Sequence, residues 1–208
     1  MTPGKFITIE GIEGAGKSTV MRFIQQYLSD ANMDVVFTRE PGGTDLAEAI
    51  RNLILQAGNA EKVAPETELL MMFAGRVQHL QTKILPALRA GQWVVSDRFI
   101  DASYAYQGAG RQIDAKYITL LDQWLVGSVY PDLTLLLDIS PEQGFKRTEK
   151  RGMQDRIEQE KLDFFVRVRE AYLQRAKQDP LRIKMIDASK SLAEVENQIR
   201  NELKKLGV

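Results

Sequence analysis

The sequence has no cysteine in its 208 residues, which excludes disulfide staples and thiolate metal sites. Its single histidine, His79, cannot build a histidine-rich metal centre alone and, lying in a run with helical spacing, reads as structural or surface. Neither sign of charge is in excess, with 28 lysines and arginines against 28 aspartates and glutamates. No global field therefore draws the molecule to nucleic acid or to an anionic membrane, and any anionic ligand must be held by local groups. No apolar run approaches membrane-spanning length, and Met1 to Lys5 lead straight into a short apolar strand instead of a signal-peptide core. Repeats, low-complexity tracts and linkers are also absent. With 44% hydrophobic residues the chain can bury a core unaided, and the expectation is one domain over residues 1–208, soluble and cytoplasmic, with no nucleic-acid or membrane partner.

What is present alternates between two periods. Phe6 to Ile9, Asp34 to Thr38, Trp93 to Asp97, Leu133 to Asp138 and Ile183 to Asp187 are short, apolar and rich in β-branched residues, the pattern of buried parallel strands. Between them, Ser18 to Ser29, Thr44 to Gln56, Pro65 to Arg89 with a kink at Pro86, Ala115 to Leu125, Pro141 to Lys150 and Lys161 to Gln178 have helical spacing. Ser191 followed by Glu194 is a capping-box start for a last helix. Strand then helix, repeated, gives an α/β fold with ligands at the carboxyl ends of the strands.

The first strand runs directly into Gly11-Ile12-Glu13-Gly14-Ala15-Gly16-Lys17-Ser18, which fits G-x-x-x-x-G-K-[ST] and opens a helix. Such a P-loop curls so that successive backbone N–H groups face phosphate oxygens, with the helix N-terminus adding partial positive charge. Gly11 to Thr19 are therefore the candidate nucleotide cradle. Lys17 is expected to reach the β- and γ-phosphates, and the Ser18 hydroxyl to ligate Mg²⁺, a small, hard cation that takes few protein ligands.

The loop alone does not separate an enzyme from a nucleotide switch. Neither an N-K-x-D run for guanine, a D-x-x-G switch nor an L-S-G-G-Q-like transporter signature occurs. Instead, arginines follow other strands: Arg39 opens Arg39-Glu40-Pro41-Gly42-Gly43-Thr44, Arg76 closes Met71-Met72-Phe73-Ala74-Gly75-Arg76, and Asp97-Arg98-Phe99 ends the third strand. Several cations at one sheet edge suit a second phosphorylated ligand.

These runs, with Tyr104-Ala105-Tyr106-Gln107-Gly108, Tyr130-Pro131-Asp132-Leu133 and Asp155-Arg156-Ile157-Glu158, resemble the thymidylate kinase family along nearly the whole chain. The resemblance implies a P-loop kinase three-layer sandwich, a five-stranded parallel sheet flanked by helices, that moves the γ-phosphoryl of Mg·ATP onto dTMP as a homodimer. It implies that Arg98 binds phosphate and Asp97 supports the Mg²⁺ site. Arg76 would bond the thymine ring, Arg51 would lie near the acceptor phosphate, Glu40 and Pro41 would shape the nucleotide wall, and Arg39 is counted among the substrate-binding residues. Ser103 and Gln107 would line the base edge, and Tyr106 would lie under the deoxyribose and exclude a 2′-hydroxyl. The family often has phenylalanine where this chain has Met72, so either Met72 packs on the base or Phe73 takes part. Glu13 falls on the sugar or phosphate side of dTMP. The rival readings are another nucleoside monophosphate kinase and a non-catalytic nucleotide switch.

Phosphoryl transfer rests on positioning and charge neutralisation, yet this P-loop holds no arginine. The cations lie instead in Lys146 to Arg156, a basic helix end broken at Gly152, which reads as a lid of about residues 147–158. By resemblance to kinases that carry the catalytic arginine there, Arg151 and Arg156 are the candidates, with Arg147 behind them. The acceptor is an anionic phosphate oxygen, so no general base is expected.

Overall fold

A computed structural model of the chain describes residues 4–56, 61–148 and 155–208. Among the described residues five parallel strands form one sheet in the order β2-β3-β1-β4-β5, with β1 at Phe6–Glu10, β2 at Val35–Arg39, β3 at Trp93–Asp97, β4 at Leu133–Asp138 and β5 at Ile183–Asp187. All five residues of β1 are buried, as expected of a central strand covered on both faces. Parallel neighbours need crossovers, and helices supply them: α1 (Lys17–Asp30), α2 (Asp45–Leu55), α3 (Pro65–His79), α4 (Leu85–Arg89), α5 (Ile100–Ser103), α6 (Ala115–Leu121), α7 (Pro141–Thr148), α8 (Leu162–Gln178) and α9 (Leu192–Lys205). Two apolar clusters form the layers between sheet and helices. One joins Ile7, Ile9, Val95 and Leu135 to α1, α8 and α9, and the other joins Phe6, Val94 and Phe99 to α3 and α6.

The expected strands, and the helices expected over residues 18–29, 44–56 and 161–178, are found within a residue of their sequence limits. The segment expected to be helical to Leu125 is α-helical to Leu121 and continues as a π-helical turn, Asp122–Val126, and the helix expected to Lys150 is described to Thr148. Ser191 caps α9 with the full reciprocal box to Glu194. The kink expected at Pro86 takes the form of a π-helical turn, Leu80–Ile84, between α3 and α4. Pro86 has no N–H to give to the Thr82 carbonyl, and the Leu85 N–H bonds Leu80 O, five residues back.

One element has no counterpart in the sequence pattern: α5 and a π-helical stretch, Tyr104–Gly110, that continues it. Gly110 there serves helix packing, since a Cβ at that position would fall 2.6 Å from the Phe164 ring of α8. This segment and the loops after β1, β2 and β3 meet at the carboxyl end of the sheet.

Candidate active site

The P-loop leaves β1 at Glu10 and enters α1 through Gly16, a helix start with φ 97° and no side-chain cap. The first N–H groups of α1 are thus open to an anion. Gly14, at φ 76°, has no room for a side chain: an added Cβ would fall 2.3 Å from the carbonyl of Gly144 on α7. Lys17 Nζ donates to Gly11 O and Ile12 O at 3.1 Å each. Burial and the nearby Arg98 charge push the Lys17 pKa down, against the pull of Asp97, Glu13 and Glu10. Ser18 is exposed in the first turn of α1. Asp97, at the end of β3, has one carboxylate oxygen, Oδ1, buried without a hydrogen-bond partner among the described residues. Ala15, Gly16, Thr19 and Val20 form one side of an open hollow whose other side is Arg147, Ala188, Lys190, Leu192 and Val195. Arg147 is drawn to this side by bonds to Gly14 O at 3.3 Å and Ala188 O at 3.2 Å.

Across the loop from that hollow lies a cleft with about 410 Å³ of space not filled by atoms, part of it open to solvent. Its lining includes seven of the residues expected from the sequence, Glu13, Pro41, Arg51, Met72, Arg98, Tyr106 and Gln107. At its inner end Arg98 Nη2 donates to Glu13 Oε1 at 2.6 Å and to the Tyr106 hydroxyl at 2.7 Å, and that hydroxyl donates to Glu13 Oε2 at 2.6 Å. Burial alone would raise the Glu13 carboxyl, but the Arg98 and Lys17 charges and these hydrogen bonds hold it below the ordinary carboxylate range. Burial pushes the Tyr106 phenol well above its usual range, with Glu13 adding to the shift, so it stays neutral. Arg98 has φ 69°, a left-handed conformation that costs a non-glycine residue of order 1–3 kcal/mol and is found where surrounding structure imposes it. Its N–H bonds Ile9 O, Ser96 Oγ bonds its carbonyl, and the next N–H, of Phe99, bonds Glu10 Oε1 at 2.8 Å. Both guanidinium contacts given above use Nη2, and Arg98 Nε is buried with no partner among the described residues.

The other expected residues stand outside the cleft lining. Arg76 is 1% exposed; its guanidinium donates to Glu40 Oε2 at 2.7 Å, Ser103 Oγ at 2.8 Å and Phe99 O at 3.0 Å. Glu40 also meets His79 Nδ1 at 3.1 Å, and Thr38 Oγ1 meets His79 Nε2 at 2.7 Å, so the histidine is structural. Phe73 packs in the second apolar cluster under the Arg76 guanidinium, 5.0 Å from its ring centre. Of the two candidates Met72 is the one at the cleft surface. Arg39 points elsewhere: it bonds Glu48 Oε2 at 2.9 Å and borders a separate hollow with Met21, Thr44 and Lys83. Arg51 Nη1 bonds Pro41 O at 2.8 Å, tying α2 to the wall.

Of the lid cations, Arg151 lies outside the described residues. Arg156 is engaged on the cleft wall, with Nη2 on Glu68 Oε2 at 2.5 Å and Nε on Ile54 O at 2.8 Å. Its neighbours Asp155 and Ile157 complete the cleft with Leu55 and Ala102. None of these four was a candidate from the sequence, nor were Glu10 and Glu68. Glu68 had a signal, because Glu68, Met72 and Arg76 repeat every four residues on the buried face of α3. Opposite charges in a core stripe must find partners, and here they organise a site.

A family model described as "Thymidylate kinase" matches residues 9–199. Relatives bearing the same name include one from Ruthia magnifica subsp. Calyptogena magnifica, 53% identical over 200 residues (96% of this chain, 97% of the relative), and one from Methylococcus capsulatus, 52% identical over 206 residues (99% and 98%). A crystal structure of thymidylate kinase from Ehrlichia chaffeensis superposes with TM-score 0.78 at 35% identity, covering 97% of this chain and 99% of the other. The family model takes in residues from β1 to α9, and the chain belongs to the thymidylate kinase family.

Proposed function

We propose that the chain performs its family's reaction, ATP + dTMP → ADP + dTDP, with ATP on the P-loop side and dTMP in the Glu13–Gln107 cleft. The observation that carries this reading is the part-buried Glu13–Arg98–Tyr106 triangle, which lines the cleft within reach of the Lys17 charge. A loop rich in N–H donors and a lysine fits the donor triphosphate. Arg98, with Nη2 taken by Glu13 and Tyr106, retains Nε and Nη1 for the acceptor phosphate. The two phosphates would then meet with cations on both sides, and direct in-line transfer needs neither a base nor a covalent intermediate. Glu13 offsets the Arg98 and Lys17 charges before the nucleotides arrive.

The residues present fit Mg²⁺. The unpartnered buried Asp97 Oδ1 and the exposed Ser18 hydroxyl would hold the ion or its water shell. No cluster of three or more candidate side-chain ligands occurs among the described residues, which suits an ion that takes most of its ligands from phosphate and water. Bound there, Mg²⁺ supplies charge neutralisation to the triphosphate.

Tyr106 is proposed to lie under the deoxyribose, with Arg51 near the acceptor phosphate. Arg151 and Arg156 are proposed to meet the transferring group from a lid of about residues 147–158 within one domain, a role for which Arg156 must exchange the partners it holds here. A homodimer is supported by Tyr117, Leu120 and Trp124, exposed at i, i+3 and i+7, where Trp124 is 76% open. No described helix is long and apolar enough to cross a membrane, and a cytoplasmic place follows from the reaction proposed. The test is phosphorylation of a panel of dTMP, dUMP, dCMP, AMP and GMP by purified protein with ATP. Preference for dTMP is expected; no turnover, or preference for a purine, would overturn the reading.

A further inference from the structure

We propose that Glu68 is a positioning residue for base selection: its carboxylate turns the Gln107 amide so that the carbonyl, Oε1, is presented to the cleft and demands a ring N–H on the incoming base. The inference deepens the proposed function and rests on it. Glu68 is 1% exposed on α3 and is not itself a lining residue of the cleft. Its Oε1 accepts Gln107 Nε2 at 2.8 Å and its Oε2 accepts Arg111 Nε at 3.1 Å and Arg156 Nη2 at 2.5 Å. Burial would raise this carboxyl, but the Arg111 charge and the bonds from Gln107 and Arg156 hold it below the ordinary range. It is therefore ionised, and an ionised carboxylate only accepts hydrogen bonds.

That settles which end of the Gln107 amide can face it. An amide turned the other way would set its carbonyl against a carboxylate in a buried site, leaving two acceptors without a proton between them. With the NH₂ on Glu68, Oε1 is the end left over. It is buried and has no partner among the described residues, while Gln107 lines the cleft. An orphaned acceptor in a base site matches the N3–H of thymine or uracil. Cytosine presents a lone pair at N3, so the same atom would repel it. The network extends the effect: Arg111 also pairs with Glu160 and packs over Phe164 at 4.9 Å, which limits how far Glu68 can move.

The probe pair is dTMP and 5-methyl-dCMP, which differ only at positions 3 and 4 of the ring. Glu68→Gln keeps the shape but gives residue 68 a donor, so the Gln107 amide is free to turn its NH₂ to the cleft. We expect the ratio of kcat/KM for dTMP over 5-methyl-dCMP to fall about tenfold, the scale of one hydrogen bond, with the KM for ATP unchanged. A merely structural Glu68 would depress both substrates together. Should Glu68→Gln fail to fold, the paired change Glu68→Met with Arg111→Met removes the carboxylate with a counter-charge and is read the same way. A wild-type ratio in whichever of these folds overturns the inference. Gln107→Met separates the two levels: loss of the ratio there with retention in the Glu68 variants sinks only the role of Glu68, whereas retention in Gln107→Met means that the base does not meet Gln107 and the cleft reading itself fails.

Discussion

The two sides of the P-loop are built differently. On the side proposed for ATP the groups on offer are main chain, namely the uncapped start of α1 and the loop amides and glycines, with one side chain, Lys17, resting on loop carbonyls. On the side proposed for dTMP they come from side chains on the loops after β1, β2 and β3, on α2, α3 and the helical stretch from Ile100 to Gly110, and on the segment after residue 154, joined through ion pairs such as the buried Arg76–Glu40 and the part-buried Arg156–Glu68. A triphosphate is the same for every kinase and can be read by a local turn. A pyrimidine deoxynucleotide is particular, and the atoms that distinguish it must converge from far along the chain. Function and stability should therefore be separable on the donor side and entangled on the acceptor side.

The largest effect is expected from Lys17→Ala. Its ammonium acts on phosphate charge, and loss of such a group in a preorganised site typically costs about 10²–10³ in kcat. The melting temperature should stay near wild type, since Lys17 is half-buried at the loop edge and not part of either apolar cluster. Thermal melts beside steady-state rates check both halves. Near wild-type turnover would remove Lys17 from the cradle, and a large fall in melting temperature would break the contrast between the two sides.

Next come the lid arginines, which straddle the comparison. Arg151→Ala should lower the single-turnover rate by about 10²-fold or more and move the KM for dTMP little, the pattern of a contact made chiefly in the transition state. Arg156→Ala should lower the rate and also raise the KM for dTMP, because its guanidinium holds the cleft wall at Glu68 and Ile54. Lysine at either place should rescue only in part, lacking the planar fork. If both single variants and the double variant transfer at the wild-type rate, the catalytic cation lies elsewhere, with Arg98 next.

A smaller effect, and one that mixes stability with specificity, is expected at Tyr106. The ring packs edge-on to Phe164 and Tyr172 while its hydroxyl closes the Glu13–Arg98 triangle. Tyr106→Ala should cost about 3–5 kcal/mol of stability, as for other large buried aromatics. It should also raise kcat/KM for the ribonucleotide relative to dTMP, through space opened under the sugar. An unchanged ratio with measurable activity would refute the steric argument.

How much of this was legible in the sequence follows the same division. The five strands, the P-loop and the α9 capping box are local patterns, and the structure has them within a residue or two. Arg98 stood out as a cation following the third strand, but the cleft residues Tyr106 and Gln107 were reached only through family resemblance, because no periodicity says that residues 13 and 106 meet. The helical stretch from Ile100 to Gly110 was not legible, since Gly110 looks like a breaker until Phe164 is seen lying on it. Arg39 shows the converse: its motif was read, but the side chain turns to Glu48, a partner nine residues on that the motif does not contain.

The smallest effect tests the entanglement at its deepest point. Glu10 is fully buried at the end of β1, where it accepts the Phe99 N–H and the Tyr172 hydroxyl and so holds the turn that carries Arg98. Burial, with the Asp101 charge nearby, pushes its pKa up to about 8, against those hydrogen bonds and Arg98, which pull it down. A carboxyl whose folded pKa lies above its ordinary value favours folding while protonated. That contribution is complete below the ordinary carboxylate range, shrinks as pH rises toward 8, and is gone beyond it. Each pH unit in that window withdraws at most about 1.4 kcal/mol. Glu10→Gln cannot ionise; its Oε1 can keep the Phe99 bond, and its NH₂ can donate to the Tyr172 oxygen. Its melting temperature relative to wild type should thus be lowest near pH 5 and climb by several degrees toward pH 9, whatever the fixed cost of the replacement. A gap that stays flat with pH would show that Glu10 is ionised throughout, balanced by Arg98, and that the acceptor turn is held by charge instead of by a buried neutral acid.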